Sequence, residues 1–182
     1  MFKDIWEPFI GCQAKSEACQ NCPFLSHSSF KGNIVQINKN ELYYPLQKDS
    51  TNHYIVPSGA VLRVCVATSD LFYEGADIYR DQIWNIMKQR PDIIFYLLTK
   101  RPERVYQCLP KWWKEKPLEN ILFNVTCENQ KRVDERLPIL RELPFKRKGI
   151  CATPLLEKIN IRQYLQEGWI EQVKCSGERR KK

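Results

Sequence analysis

From residue 61 onward, short apolar runs alternate with longer amphipathic ones, and this alternation limits the chain to very few folds. The runs are VLRVCVA (Val61–Ala67), IIFYLL (Ile93–Leu98), ILFNVT (Ile121–Thr126), GICA (Gly149–Ala152) and IEQVK (Ile170–Lys174), and their starts fall 32, 28, 28 and 21 residues apart. Each is too short for a buried helix, and most are rich in Ile, Val, Phe and Leu, as strands covered on both faces are. Between them, Asp77–Gln89 carries Tyr79, Ile83, Ile86 and Met87 on one helical face, with Asp77 as the expected N-cap. Asn129–Leu143 carries Val133, Leu137 and Leu140, with Pro138 predicting a kink or two shorter helices. Asn160–Gln166 reads as a short helix ended by Gly168.

Repeated strand–helix units imply a parallel sheet with right-handed crossovers. Five strands plus an element near the N-terminus predict an α/β fold, a partial or open (β/α) barrel with parallel strands. A full barrel takes about 250 residues, so a chain of 182 is expected to be truncated at its C-terminal side. The whole reads as a single domain, 1–182. Within it, 1–31 is a three-cysteine loop region, 32–60 a hairpin and loop insertion, 61–178 the repeating units and 179–182 a basic tail. The hairpin expectation rests on Asn38-Lys39-Asn40 between two alternating runs; the polar stretch from Gln47 to Gly59 reads as a loop.

In parallel α/β folds, sites form where strands end. The residues following the five runs are Thr68-Ser69-Asp70, Thr99-Lys100-Arg101, Cys127-Glu128-Asn129, Thr153-Pro154 and Cys175-Ser176-Gly177-Glu178. Asp70, Lys100, Arg101, Glu128, Asn129 and Glu178 are therefore candidate catalytic residues. Each also has a plainer reading: Asp70 and Asn129 as caps, Lys100 and Arg101 as solvated cations. Cys65, Cys108, Cys127 and Cys151 read as small core residues, and Trp112-Trp113 as packing.

Three further cysteines crowd the start of the chain, Cys12, Cys19 and Cys22, spaced C-x6-C-x2-C. No basic segment leads into an apolar one at the N-terminus, and no run nears the roughly 20 apolar residues that span a bilayer. The expected location is cytoplasmic, without membrane, where clustered cysteines point to metal or redox chemistry instead of disulfides. Three thiolates suit an iron–sulfur cluster with one iron left open, to which S-adenosylmethionine could bind. Zinc, with His27 as a fourth ligand, and no metal at all stay open on spacing alone. The formal net charge of +8 favours anionic partners, nucleic acid among them, although no basic stripe stands out.

The segments WEPFIGCQAKSEACQNC (6–22), TSDLF (68–72), LTKRPER (98–104), VTCENQ (125–130), DERLPIL (134–140) and PLL (154–156) together resemble, in order, a three-Cys-motif family of phages and bacterial genomes. That family takes its name from phage gene products thirty-seven and sixty-eight, and has no established reaction. The resemblance implies a radical-SAM-like barrel with Cys12, Cys19 and Cys22 holding a 4Fe-4S cluster. It also places Asp70, Lys100, Arg101, Glu128, Asn129 and Glu178 at the barrel mouth. The function expected is that of an iron–sulfur, radical-SAM-like protein acting on an unknown, nucleic-acid-related substrate, with or without a partner protein. The alternatives are a zinc-stabilised nucleic-acid-binding protein or a truncated, inactive copy. Glu7, Tyr73 and Thr153 stand where the family's residues are usually different.

Overall fold

The computed structural model describes residues 2–26 and 35–177. Its main body is a six-stranded, wholly parallel sheet of β1 (Ile5–Trp6), β4 (Val61–Val64), β5 (Ile94–Thr99), β6 (Ile121–Thr126), β7 (Arg147–Leu155) and β8 (Ile170–Gly177), side by side in that order. A separate antiparallel pair joins β2 (Phe9–Ile10) to β3 (Gln36–Ile37). Each strand from β4 onward lies beside its predecessor, so every crossover advances in the same direction. Right-handed crossovers then place the intervening helices on one face of the sheet. Among the described residues no strand joins β8 back to β1, and the sheet has two edges.

The helix-side face is the apolar one. Leu62, Val64, Phe95, Leu97, Phe123, Val125 and Ile150 meet Ile83 and Met87 of α1 (Asp77–Lys88) and Val133, Leu137 and Leu140 of α3 (Gln130–Glu142). Phe123 stacks on Phe145 at 4.3 Å between ring centroids. The opposite face mixes Tyr96, Leu122, Asn124, Thr126, Cys151, Gln172 and Lys174, which share one side by register. Here the Asn124 amide donates to the Leu97 and Leu122 carbonyls and accepts from Gln172 Nε2 at 3.0 Å.

All five predicted strands are present. β7 and β8 run longer than the sequence predicts, and β4 stops at Val64 because Cys65 turns into the left-handed region at φ 53°. Asp77 is not the cap of α1: Ala76 holds that position, and the Asp77 carboxylate instead takes Arg80 and Arg104. α3 passes through Pro138 as one helix, with three buried apolar residues outweighing one missing backbone bond. Between β5 and β6 lie α2 (Val105–Cys108) and a 3-10 turn over Lys111–Lys114. The short α4 (Arg162–Gln166) is followed by Gly168 at φ 73°.

The insertion departs from expectation. Asn38 does not turn a hairpin: its carbonyl accepts from the backbone N–H of Glu41 and Leu42 and starts a helical turn, so β3 pairs with β2 instead of a neighbour in sequence. The small hairpin lies further on, where Lys48 and Tyr54 form a bridge inside the stretch read as a loop. The buried Arg90 guanidinium fastens this segment to the body through the carbonyls of Pro45 and Val56. No described helix is long and apolar enough to cross a membrane.

Candidate functional site

The cysteine loop lies over the carboxyl ends of β4, β5 and β6. Gly11 begins it at φ 149°, a conformation open to glycine, and donates its N–H to the Thr68 carbonyl at 3.1 Å. A 3-10 turn over Glu17–Cys19 follows, and the Cys22 N–H donates to the Cys19 carbonyl at 3.2 Å. The C-x2-C spacing thus becomes a single turn. The thiols of this loop line one cavity of about 110 Å³, and Cys12, Cys19 and Cys22 share it with Cys65, Asp70, Lys100 and Arg101.

Two carboxylates give this cavity its shape. Asp70, buried, accepts from the Phe72 N–H at 2.9 Å, from the Thr99 hydroxyl at 2.8 Å and from the Arg101 guanidinium at 3.1 Å. The same guanidinium donates to the Gln13 carbonyl at 2.8 Å, so Arg101 links the floor of the cavity to the residue after Cys12. Glu7 accepts from the N–H groups of Val66 and Ala67 at 2.9 and 2.8 Å, and from the hydroxyls of Thr68 and Ser69 at 2.8 and 2.6 Å. It holds the wall that carries Asp70. Two outer ties complete the attachment of the loop: Lys15 to Glu103 at 2.6 Å, and Arg132 of α3 to Glu17 at 3.0 Å.

The thiols differ electrically. Burial, with the Asp70 carboxylate adding to it, pushes the Cys12 thiol up to about 11. Burial acts on Cys19 as well, but the Lys15 N–H, the Lys100 ammonium and Ser16 outweigh it and bring that thiol below its ordinary value. Cys65 is raised well above its ordinary value by burial and by Glu7. Arg101 and Lys100, which share the lining, act in the opposite direction on Cys12 without outweighing its burial.

The structure therefore brings Cys12, Cys19, Cys22, Asp70, Lys100 and Arg101 together, and not the rest of the predicted set. Glu128 is fully buried and pairs with Arg136 of α3 at 2.8 Å, away from the cavity lining. Asn129 caps α3, accepting from the Arg132 N–H at 3.0 Å. Glu178 and His27 lie outside the described residues. All eight cysteines are free: Cys108, Cys127 and Cys151 are core residues as expected, and Cys175 is exposed. Cys65 is buried too, yet it also lines the cavity, which its apolar run concealed. Glu7 was equally hidden, since its four partner residues, Val66 to Ser69, lie about sixty residues away.

Among the described residues, no group of three or more cysteine, histidine or acidic side chains is gathered to hold a metal ion. A lone ion needs its ligands on one atom, whereas an iron–sulfur cluster takes each thiolate on a different iron and spreads them. The cavity lining holds four thiols, Cys12, Cys19, Cys22 and Cys65, beside one carboxylate, Asp70, and two cations, Lys100 and Arg101, with hydroxyl, amide and apolar residues between them.

Residues 2–182 match a family model described as Protein of unknown function (DUF5131), and the chain belongs to that family. No curated protein and no solved structure matches it.

Proposed function

We propose that this member of the DUF5131 family is a radical-SAM-type protein on a partial (β/α) barrel, holding an iron–sulfur cluster through Cys12, Cys19 and Cys22. One observation carries the reading: the three cysteines of a single loop line one cavity, at the carboxyl ends of consecutive parallel strands, together with Asp70, Lys100 and Arg101. When bound, such a cluster supplies one-electron reduction and, at the iron without a cysteine ligand, a place for the amino and carboxylate groups of S-adenosylmethionine.

The chain's own residues do the rest. Arg101 ties the loop to Asp70 and keeps Cys12 over the strand ends. Lys100 lowers the cost of thiolate at Cys19 and offers an ammonium to an anionic ligand. The net positive charge supports an anionic substrate of nucleotide or nucleic-acid type. Glu128 and Asn129 support the fold beneath the site instead of acting in it.

The test is iron and acid-labile sulfide content after anaerobic purification, beside the triple variant Cys12→Ala/Cys19→Ala/Cys22→Ala. Iron with matching sulfide, lost in the variant, is expected, followed by reductive cleavage of S-adenosylmethionine under dithionite. Stoichiometric zinc would replace the cluster with a structural metal, and an absence of metal in both proteins would end the proposal.

A further inference from the structure

The cavity under the cysteine loop has a fourth thiol for which a three-cysteine centre has no use. Cys65 lines it with Cys12, Cys19 and Cys22, yet it comes from the end of β4 and not from the loop. The charge of Cys12 acts on Cys65 and that of Cys19 on Cys12, so these three sulfurs are near one another. Cys22 joins them through the single turn it makes with Cys19. The backbone holds Cys65 in place: its N–H donates to the Trp6 carbonyl at 3.0 Å, and its φ of 53° is left-handed. Glycine adopts that conformation freely and residues with a Cβ seldom do. The other non-glycine residue there, among the described residues, is Asn52 in the exposed hairpin, and asparagine tolerates it well. A cysteine in such a position carries a backbone cost that its thiol has to offset.

The other lining groups that could meet a metal are already engaged. Asp70 Oδ1 accepts from the Phe72 N–H and the Thr99 hydroxyl, and Oδ2 from the Lys100 N–H and the Arg101 guanidinium. The Thr68 and Ser69 hydroxyls donate to Glu7. Gln13 and Thr126 offer only neutral oxygens, poor ligands for iron held by sulfide. Cys65 brings the ligand type that a 4Fe-4S cluster takes on every iron when four cysteines are at hand.

Resting on the cluster proposed above, we infer that Cys65 holds the fourth iron while no S-adenosylmethionine is bound, and yields it when that molecule arrives. The exchange balances. The ammonium of S-adenosylmethionine gives up a proton to bind iron as an amine, and the Cys65 thiolate takes up a proton as its bond to iron breaks. At rest Cys65 shields the fourth iron from water and oxidants. It gives way to a ligand that brings two donor groups, amine and carboxylate, against one thiolate.

The experiment compares the full chain, purified without oxygen, with Cys65→Ala. Iron and sulfide contents are expected to be equal in the two. Brief oxidation by ferricyanide, without S-adenosylmethionine, leaves the wild-type cluster whole. Cys65→Ala sheds its unshielded iron and shows the electron paramagnetic resonance signal of a three-iron cluster. Cys65→Ser fills the same space with a poorer ligand and falls between the two, which separates lost ligation from lost packing. S-adenosylmethionine, followed through the spectrum of the reduced cluster, binds Cys65→Ala about tenfold tighter, the factor for a wild type in which the open form is about a tenth of the population. An equal three-iron signal in wild type and Cys65→Ala, with equal affinity for S-adenosylmethionine, overturns the inference and leaves the cluster standing. Wild-type protein without iron and sulfide overturns both.

Discussion

Glu17 is 40% exposed, yet its carboxyl is held down at about 2 by its own backbone N–H and by the Arg132 guanidinium. A carboxyl with a lowered folded value stabilises the fold at pH above its unfolded value near 4.5 and loses that contribution as pH falls toward 2. Solvent screening keeps the effect small, under about 1 kcal/mol. Wild type should therefore exceed Glu17→Gln in stability at pH 6, with the difference shrinking through pH 4 and gone near pH 2. Urea melts at these three pH values measure it; a constant difference would show that the tie to α3 is idle. Such residues also mark the limit of sequence reading. Asp70, Lys100 and Arg101 were legible as a site because each follows an apolar run directly. Glu128 follows one too and looks the same in sequence. Its carboxylate is consumed by Arg136, eight residues on, and only the face of α3 decides that.

Elements divide in the same way. β4 to β7 were legible because short, mostly apolar runs leave few other structures open, whereas β8, with only Ile170 and Val173 apolar in IEQVK, was legible by its place after the last helix. β1, β2 and β3 have two residues each, too few to show a period, and they form through pairing with distant chain. The contact between β6, β7 and β8 on the polar face gives the element scale its prediction. A Cβ on Gly149 would stand 2.2 Å from Asn124 Oδ1 and 2.8 Å from Gln172 Cγ, where real Cβ atoms do not approach. Gly149→Ala should break the Gln172–Asn124 bond and cost about 2 kcal/mol by overpacking. Adding Asn124→Ala to it should restore part of that loss by removing the obstructing amide. Denaturation midpoints of the two variants check this, and a double variant less stable than Gly149→Ala alone would place the strain elsewhere.

Across the whole molecule, protection is graded along the sheet. β6 is buried at all six positions, whereas β8 is an edge strand among the described residues, exposed from Val173 to Gly177, with Val173 itself 43% open on the helix-side face. That face of β7 is still covered, by Ile150 in the core, so cover is lost in one step between β7 and β8. An edge strand with one partner and little apolar burial opens locally at lower free energy than the centre of its sheet. The cysteine cavity draws its walls from the segment that follows β4 and from the ends of β5 and β6, in the buried part, and not from β8. Opening of β8 should therefore leave the site standing. Native-state hydrogen exchange is expected to rank the amides of β5 and β6 slowest, β7 next and β8 fastest. Val173→Thr should change global stability by less than about 0.5 kcal/mol. If instead β8 exchanges as slowly as β6 in dilute solution, it opens only with the whole fold, and the site depends on the edge after all.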